Sequence, residues 1–352
     1  MLYPLKFKPL YKDYIWGGRN LEKLGKELPD GIVAESWEVS CHKDGQSIIA
    51  NGIFEGTALV DLVKKFGSRV IGDLMNKEYI ENFPLLIKFI DANKDLSVQV
   101  HPDDDYAKLV EASYYGKSEM WYIISAEPGA KVVYDLRPGV AGDNIADVLQ
   151  SKNIKEYLNY IEVSPGDTIT VPSGVVHALG EGIVAAEIQQ NSNITYRIFD
   201  YDRIDSSGKK RELHIEKALD VVDLNFKRRP GKSKSIEFQA GYGFSKSFIS
   251  VDMHFGVELY NIEDRIAEEA DGSRFFIYTF IEGEGIINYN GGTVRVGSSE
   301  SVMIPAHMGD YIMEGSFKAL KSYVPNMLQS FIFPLMKAGY SRDEVLQTVS
   351  RI

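Results

Sequence analysis

The sequence predicts a mainly β protein in which antiparallel strands form a sandwich or barrel, with a few inserted helices. Most of the chain consists of short runs rich in Val, Ile, Tyr and Phe, such as SWEVSCH, MWYIISA and DTITVPS. Glycine, proline, asparagine and aspartate separate these runs, as is typical of turns between antiparallel strands. The chain has 352 residues, which is enough for one large domain or two of ordinary size. Its hydrophobic fraction of 44% and charged fraction of 25% are ordinary values for a soluble protein.

Helical periodicity interrupts the strands in three places. These segments lie at about residues 57–80, at about 143–159, and from Arg211 to Val222. We therefore expect a β framework that carries helices between some of its strands.

A basic stretch with a Pro-Gly pair, NFKRRPGKSKS at residues 225–235, indicates a linker between two domains. We expect domains at residues 1–230 and 236–324, followed by a helical extension at 325–352. In this extension, Ser341 and Glu344 have the spacing of a capping box.

The two halves share one pattern of strand, glycine turn, strand, and a further strand that ends at a proline. Pro172 in the first half corresponds to Pro305 in the second. On a simple offset alignment, the second half has Asp310 in place of His177 and Arg274 in place of Glu119. This pattern favours a duplicated β unit that keeps a polar site in the first copy only.

Composition excludes several classes of function. The net charge of −11 argues against a nucleic-acid partner, because phosphate binding requires a concentrated basic face. A single cysteine allows no internal disulfide. The sequence has neither a signal-peptide pattern nor an apolar run of about 18 residues, so we expect a cytoplasmic protein without a membrane span.

Candidate metal ligands occur in three separate segments. In LSVQVHPDDD, Gln99 and His101 lie on one face of a strand because side chains alternate with a period of two. Glu119 opens another strand, and His177 follows a glycine turn in PGDTITVPSGVVH. Two imidazoles, one carboxylate and one carboxamide would suit zinc, and also iron(II), manganese or cobalt.

The third segment matches the second metal motif of the cupin superfamily, through Gly166, Pro172, Gly174 and His177. The chain as a whole resembles the type I mannose-6-phosphate isomerases of the shorter bacterial kind. The segments that carry this resemblance are YKDYIWGGRNLEKL, AESWEVS, FPLLIKFIDANKDLSVQVHPDDDYA, GKSEMWYI, VPSGVVHALGEG and EIQQNSNITYRIFDYDR. The resemblance implies two cupin-type jelly-roll domains, of which the first binds metal and is catalytic and the second is metal-free.

The resemblance also implies roles for individual residues. One zinc ion per chain would be held by Gln99, His101, Glu119 and His177. Arg197 would act in catalysis or position the substrate. The resemblance further implies that Lys88 and Lys117 line a sugar-phosphate pocket.

One position departs from the family pattern. The family usually has aspartate in the segment that reads Asn191-Ser192-Asn193 in this chain. Loss of that aspartate would lower activity if it orients the arginine or assists proton transfer. Asparagine would serve if the role is structural.

The implied reaction interconverts mannose 6-phosphate and fructose 6-phosphate by moving a proton between C1 and C2 through an enediol. A base is required near these carbons. Lys117 is one candidate, and carboxylates on alternating strands, Glu187 or Glu38, compete with it. Together with Lys88 and Arg197, Glu187 would bind the substrate. We expect the protein to be a monomer or a homodimer.

Two other classes of function are compatible with the same residues. A cupin iron(II) oxygenase would use two histidines and one carboxylate, although Gln99 would then occupy a position that such enzymes keep open. A non-catalytic sugar-phosphate-binding cupin would keep the ligands without turnover. Oxygen dependence would reveal the first class, and binding without turnover would reveal the second.

Overall fold

A computed structural model describes residues 2–140, 142–204, 208–224 and 231–349. It confirms a mainly β architecture with inserted helices and a helical C-terminal tail. Within the described residues the sheets are open at both ends, so the architecture is that of packed sandwiches and not of a closed barrel.

The described strands follow one another in this order: β1 (Leu5–Lys8), β2 (Leu10–Lys12), β3 (Glu35–Val39), β4 (Cys41–His42), β5 (Gly45–Gln46), β6 (Ile48–Ile49), β7 (Leu85–Ala92), β8 (Val98–Val100), β9 (Glu119–Ala126), β10 (Lys131–Leu136), β11 (Leu158–Glu162), β12 (Thr168–Val171), β13 (His177–Leu179), β14 (Ile183–Gln190), β15 (Tyr196–Phe199), β16 (Ile236–Gly241), β17 (Phe244–Val251), β18 (Gly256–Ile262), β19 (Arg265–Ala270), β20 (Phe276–Tyr289), β21 (Gly292–Gly297), β22 (Ser301–Ile304) and β23 (Gly309–Tyr323).

The α-helices are α1 (Leu59–Phe66), α2 (Ser68–Ile71), α3 (Asp104–Val110), α4 (Ile145–Gln150), α5 (Ile215–Val221), α6 (Phe333–Lys337) and α7 (Arg342–Val349). Short 3-10 helices lie at Asn20–Leu24, Gly52–Phe54, Lys77–Ile80 and Ile154–Tyr157, and a π-helix at Leu328–Ile332. Within these described residues, no helix combines the length and apolar character needed to cross a membrane.

The first half of the chain forms a sandwich of two antiparallel sheets. One sheet has the strand order β12-β9-β14-β7-β3-β2, and the other has the order β11-β10-β13-β8-β15. Side chains such as Ile90, Trp121 and Leu179 form an apolar core between them. This core closes most of the sandwich and leaves polar side chains at one end.

The strand β7 is buried on both faces, as expected for a strand between two cores. Ile87 and Phe89 point away from the sandwich, into a core shared with α1, α2 and the second half of the chain. Ile90 points into the sandwich. By the same alternation Lys88 also points inward, so strand geometry places a charged group inside the sandwich.

The second half supplies eight strands of a ten-stranded antiparallel sheet around the long strands β20 and β23, and β1 and β6 supply the other two. The N-terminal strand β1 also belongs to this sheet, because Leu5 pairs with Met303 of β22. The first strand of the chain thus contacts its far end. The division of the chain into domains near residue 230 stays a prediction.

Strand register corrects the offset alignment between the two halves. Glu119 lies opposite Val171, the residue before Pro172. Phe276 lies opposite Ile304, the residue before Pro305. Phe276, and not Arg274, therefore takes the place of Glu119 in the second half.

Buried charges form a separate network in the second half. Glu268 contacts the ammonium groups of both Lys246 and Lys321, and its oxygen lies 2.9 Å from Lys321 Nζ. Lys321 also donates a hydrogen bond of 3.1 Å to the Tyr260 hydroxyl. Burial opposes ionisation of Glu268, but the two lysines lower its pKa to about 2.

The predicted helical regions are confirmed with changed boundaries. The helix predicted from Arg211 begins at Ile215, and the residue before it, His214, donates its backbone N–H to the Arg197 carbonyl of β15 at 2.7 Å. Of the linker predicted at 225–235, residues 225–230 lie outside the described part of the chain.

The C-terminal tail packs on the second half. Phe331 and Leu335 are buried against Phe248 and Val251. The predicted capping box is present: the Ser341 N–H donates to Glu344 Oε2 at 2.7 Å and the Glu344 N–H donates to Ser341 Oγ at 3.3 Å. Because the tail supplies one side of this small core, it is an integral part of the fold.

Candidate active site

Three neighbouring strands of the five-stranded sheet place functional side chains in one row. Gln99 on β8 lies between His177 on β13 and Arg197 on β15, and it pairs with both. His101 follows β8 directly, and its carbonyl accepts a 2.9 Å hydrogen bond from Gly174 N–H. This bond joins the two segments that carry the histidines.

The opposite sheet supplies a second polar row. Glu187 on β14 pairs with Lys88 on β7 and with Trp121 on β9. Glu119 lies two residues before Trp121 on the same strand and shares its face. The two sheets therefore bring both rows of polar side chains to one end of the sandwich.

Donor atoms of three side chains converge at this end. His101 Nε2 and His177 Nε2 lie 3.2 Å apart. Glu119 Oε1 lies 3.2 Å from His177 Nε2, and Glu119 Oε2 lies 3.4 Å from His101 Nε2. Within the described residues these three form the one group whose carboxylate and imidazole donor atoms are close enough to hold a metal ion.

The spacing of the donors matches tetrahedral coordination. Bonds of about 2.0–2.1 Å in a tetrahedral zinc site place ligand atoms roughly 3.3–3.4 Å apart. The carboxamide of Gln99 supplies a fourth donor, because its Nε2 lies 3.3 Å from His177 Nε2 and a flip of the amide would bring the oxygen there. The four side chains proposed as ligands thus lie around one point.

The protonation states of these donors also suit a metal ion. His177 Nδ1 donates to the Val175 carbonyl at 2.9 Å, which leaves the Nε2 lone pair directed at the site. Burial, followed by the nearby Lys117 ammonium, lowers the pKa of His101 to about 3, so this imidazole is neutral at neutral pH. Burial opposes ionisation of Glu119, yet Lys117 and the imidazoles hold its pKa well below the ordinary value.

The balance of charge around the donors also favours a cation. Glu119 Oε1 is buried and accepts no hydrogen bond from the residues described. Among the described residues, the acidic groups of Glu35, Glu119 and Glu187 contact two ammonium groups, those of Lys88 and Lys117, and burial followed by the charge of Glu119 raises the pKa of Glu187. A divalent metal ion would offset the negative charge of these carboxylates, so the residues present fit such an ion.

The two lysines connect the metal donors with the rest of the site. Lys117 Nζ contacts Glu119 and lies 3.2 Å from His101 Nε2 and 3.5 Å from Glu187 Oε1. Lys88 Nζ lies 2.8 Å from Glu187 Oε2. Burial would lower the pKa of Lys88, but Glu187 and Glu35 raise it above the ordinary value, so Lys88 remains an ammonium group.

These residues border a cavity of about 240 Å³. Among the described residues, the wall of this cavity includes most of the side chains predicted from the sequence: Lys88, Gln99, Lys117, Glu119, Glu187 and Arg197. The histidines lie beside it, in contact with Glu119. Glu38, which competed for the role of base, lies elsewhere, because it forms a buried 2.8 Å ion pair with Lys26 on the other face of its strand.

Sequence reasoning missed several residues of the cavity wall. Glu35 could have been found from the sequence, because it lies two residues before Trp37 and so shares its face of the strand. Its Oε2 accepts a 2.6 Å hydrogen bond from Trp37 Nε1. Arg211 carried no signal, since it enters the cavity wall from the approach to α5. Asn193, which the sequence singles out as a departure from the family pattern, also lines the cavity, and its Nδ2 donates to Asp44 Oδ2 at 3.1 Å.

Comparison with known proteins gives consistent matches along the chain. Residues 4–124 match the family model of the phosphomannose isomerase type I catalytic domain, and residues 245–324 match that of the mannose-6-phosphate isomerase cupin domain. The chain is 34% identical to the mannose-6-phosphate isomerase ManA of Bacillus subtilis, over 91% of this chain and 99% of that protein. It is 39% identical to a Streptococcus mutans mannose-6-phosphate isomerase over 64% of this chain and 69% of that one.

Solved structures share the same fold. The crystal structure of a Bacillus subtilis mannose 6-phosphate isomerase superposes with a TM-score of 0.84 at 32% identity, covering 91% of this chain and 99% of that one. A zinc-bound mannose 6-phosphate isomerase superposes with a TM-score of 0.74 at 16% identity, covering 92% and 100% of the two chains.

Proposed function

This chain belongs to the type I phosphomannose isomerase family, and on that basis we propose that it interconverts mannose 6-phosphate and fructose 6-phosphate. The observation that carries the proposal is the convergence of His101, Glu119 and His177 donors beside a polar cavity. The same three residues were predicted from the sequence as ligands. A soluble sugar phosphate is therefore the proposed partner, and nucleic acid and membrane are not.

We propose one zinc ion per chain, held by Gln99, His101, Glu119 and His177. When bound, this ion would supply an electrophile that polarises a sugar oxygen next to the carbon that loses its proton. The protein holds the donors in place before binding, because both histidines and Glu119 are buried and bonded to their surroundings.

The remaining polar residues would bind the open-chain sugar and move its proton. Lys117 and Glu187 face each other across the cavity wall, so either could reach a proton shared between C1 and C2. We retain Lys117 as the proposed acid-base group and Glu187 as substrate-binding residue and competing base. Lys88, held as an ammonium group by Glu187 and Glu35, would donate to a sugar oxygen.

Arg197 is proposed to act on the substrate from the neighbouring strand. Its Nε donates to Ser97 Oγ at 3.3 Å and its Nη1 donates to the Glu212 carbonyl at 2.8 Å. These uncharged partners fix the guanidinium at the cavity wall and leave its positive charge uncompensated by them. A planar cation in this position can bind an anionic oxygen in a bidentate manner.

The test is a coupled assay of mannose 6-phosphate conversion to fructose 6-phosphate, on protein stripped with chelator and then supplied with zinc. We expect turnover that requires zinc and is lost in His177→Ala. Zinc binding without turnover would indicate a non-catalytic sugar-phosphate-binding protein, and oxygen consumption with iron(II) would indicate an oxygenase. Either result would overturn the proposal.

Monomeric or homodimeric assembly and a cytoplasmic location remain predictions. Light scattering of the purified protein would establish its mass in solution, and fractionation of producing cells would test the location.

A further inference from the structure

We propose that Arg211 and Arg197 together form the subsite that binds the phosphate group of the substrate, and that Arg211 makes the enzyme selective for phosphorylated sugars. This inference rests on the proposed sugar-phosphate function and deepens it. Both guanidinium groups belong to side chains that line the cavity. They come from different parts of the fold, since Arg197 lies on β15 and Arg211 precedes α5.

Asp200 fixes the orientation of Arg211. Its Oδ2 accepts a 2.8 Å hydrogen bond from Arg211 Nε, and its Oδ1 contacts Arg211 Nη2. Arg203 binds the same carboxylate from another side, through its Nε at 3.2 Å from Oδ1. Burial opposes ionisation of Asp200, but the two arginines lower its pKa, so it remains a carboxylate at neutral pH.

One carboxylate shared by two guanidinium groups leaves net positive charge at this part of the wall. Arg197 adds to it, because the partners that it contacts through Nε and Nη1 are uncharged. Burial and then the nearby Arg211 cation lower the pKa of Arg197 from its ordinary value, which indicates that the two cations repel each other. An anion between them would relieve this repulsion.

The charge of the cavity is therefore unevenly distributed. Among the described residues, the acidic groups of Glu35, Glu119 and Glu187 contact Lys88 and Lys117 beside the candidate metal donors. Near Arg197 and Arg211, the wall is cationic and includes the neutral groups Ser97 and Thr195. A sugar phosphate has matching polarity, with hydroxyl oxygens at one end of its chain and a dianion at the other.

Arg203 provides a matched control. Like Arg211, it is partly exposed and binds Asp200. The exposed fraction of the side chain is 17% for Arg203 and 20% for Arg211. It does not belong to the described wall of the cavity. If the Asp200 cluster has a purely structural role, replacing either arginine should disturb the site. If Arg211 contacts the phosphate, only the replacement of Arg211 should weaken phosphate binding.

The experiment compares Arg211→Gln and Arg203→Gln in the zinc-loaded, full-length protein. Because hydrogen bonds to charged groups contribute about 1.5–3 kcal/mol, we expect Arg211→Gln to raise KM for mannose 6-phosphate about 10- to 100-fold with a smaller change in kcat. It should weaken competitive inhibition by inorganic phosphate by a similar factor. Arg203→Gln should leave both constants within about threefold of the wild type.

Equal effects of the two substitutions, or no effect of Arg211→Gln on phosphate inhibition, would overturn the subsite. Circular dichroism verifies folding, and Arg211→Lys, which keeps the charge but not the planar fork, should give an intermediate KM. If the wild type showed no turnover, the proposed function would fail. Calorimetric binding of inorganic phosphate to the two variants would then still test the subsite, with loss in Arg211→Gln alone supporting it.

Discussion

The Nε2 atoms of His101 and His177 lie 3.2 Å apart, and both nitrogens lie against the carboxylate of Glu119. His177 carries its proton on Nδ1, which donates to the Val175 carbonyl, and burial with Lys117 nearby keeps His101 neutral. With the His177 proton on Nδ1 and the Lys117 ammonium 3.2 Å from His101 Nε2, the two Nε2 lone pairs are directed at the same region. This arrangement favours a cation between them, and Glu119 completes its surroundings.

The first prediction concerns metal retention. Replacing His101 by alanine removes one donor from the group. We expect zinc affinity to fall at least about 100-fold, because the loss of a residue that merely hydrogen-bonds a metal ligand already lowers affinity by about 10- to 100-fold. Zinc content after gel filtration measures this. His307→Ala is the control, because His307 is partly exposed and contacts Asp73 in another region. Equal zinc content in the two variants would contradict the assigned donors.

The second prediction concerns Asn193, where the family pattern has aspartate. Its carboxamide donates to Asp44 Oδ2 at 3.1 Å, and its side chain lines the cavity together with Tyr14. Asn193→Asp would place two carboxylates against each other and add negative charge near an anionic substrate. We expect KM for mannose 6-phosphate to rise about threefold, a small effect because the pair is partly exposed.

Adding Asp44→Asn to this variant restores one neutral partner, so the double variant should recover most of the lost affinity. Steady-state kinetics at low salt provides the measurement, since screening weakens the repulsion. A double variant no better than Asn193→Asp would show that the two side chains do not act through each other.

The third prediction concerns the pH dependence of stability. Burial opposes ionisation of Glu268, but Lys321 and Lys246 lower its pKa to about 2 from 4.5. Because the folded-state pKa is depressed, this carboxylate stabilises the fold fully above pH 4.5, and its contribution disappears as the pH falls towards 2. The contribution is about 3 kcal/mol at neutral pH.

Glu268→Gln should therefore flatten the decrease in unfolding free energy between pH 4.5 and 2, measured by urea denaturation. At pH 7 it should cost about 3–5 kcal/mol, because two buried ammonium groups lose their partner. Glu282→Gln breaks an exposed pair with Lys318 and should change little. An unchanged pH slope in Glu268→Gln would contradict the role of the network.

The fourth prediction concerns the tail. Phe331 is fully buried against Phe248, whereas Phe333 on the same helical segment is 56% exposed. Phe331→Ala should lower the free energy of unfolding by about 3–5 kcal/mol, and Phe333→Ala by less than about 0.5 kcal/mol. Equal losses would show that the tail does not pack on β17 in solution.

Much of the site followed from the sequence because strands alternate with a period of two. Gln99 and His101 were predicted as neighbours from two positions on one strand, and a motif with fixed turn residues predicted His177. The partners of these residues across the sandwich depend on how two sheets face each other. Short segments do not encode this relation. Arg211 could not be found for another reason, because it reaches the cavity wall from the segment before α5.

The fold shows the same division between local and distant information. Strand and helix types followed from periodicity and turn residues, as in the capping box of Ser341 and Glu344. The register between β20 and β22 did not, and offset alignment selected Arg274 where Phe276 lies. The pairing of β1 with β22 also depends on tertiary contacts that no local pattern indicates.

That pairing has a consequence for synthesis. Leu5 leaves the ribosome long before its partner Met303. Until Met303 emerges, the edge of β1 that pairs with β22 stays unpaired in the nascent chain, which exposes it to aggregation. Closing so large a loop is slow. The pairing of β1 with β22 is therefore a late step in folding, and it joins two segments that lie far apart in the sequence.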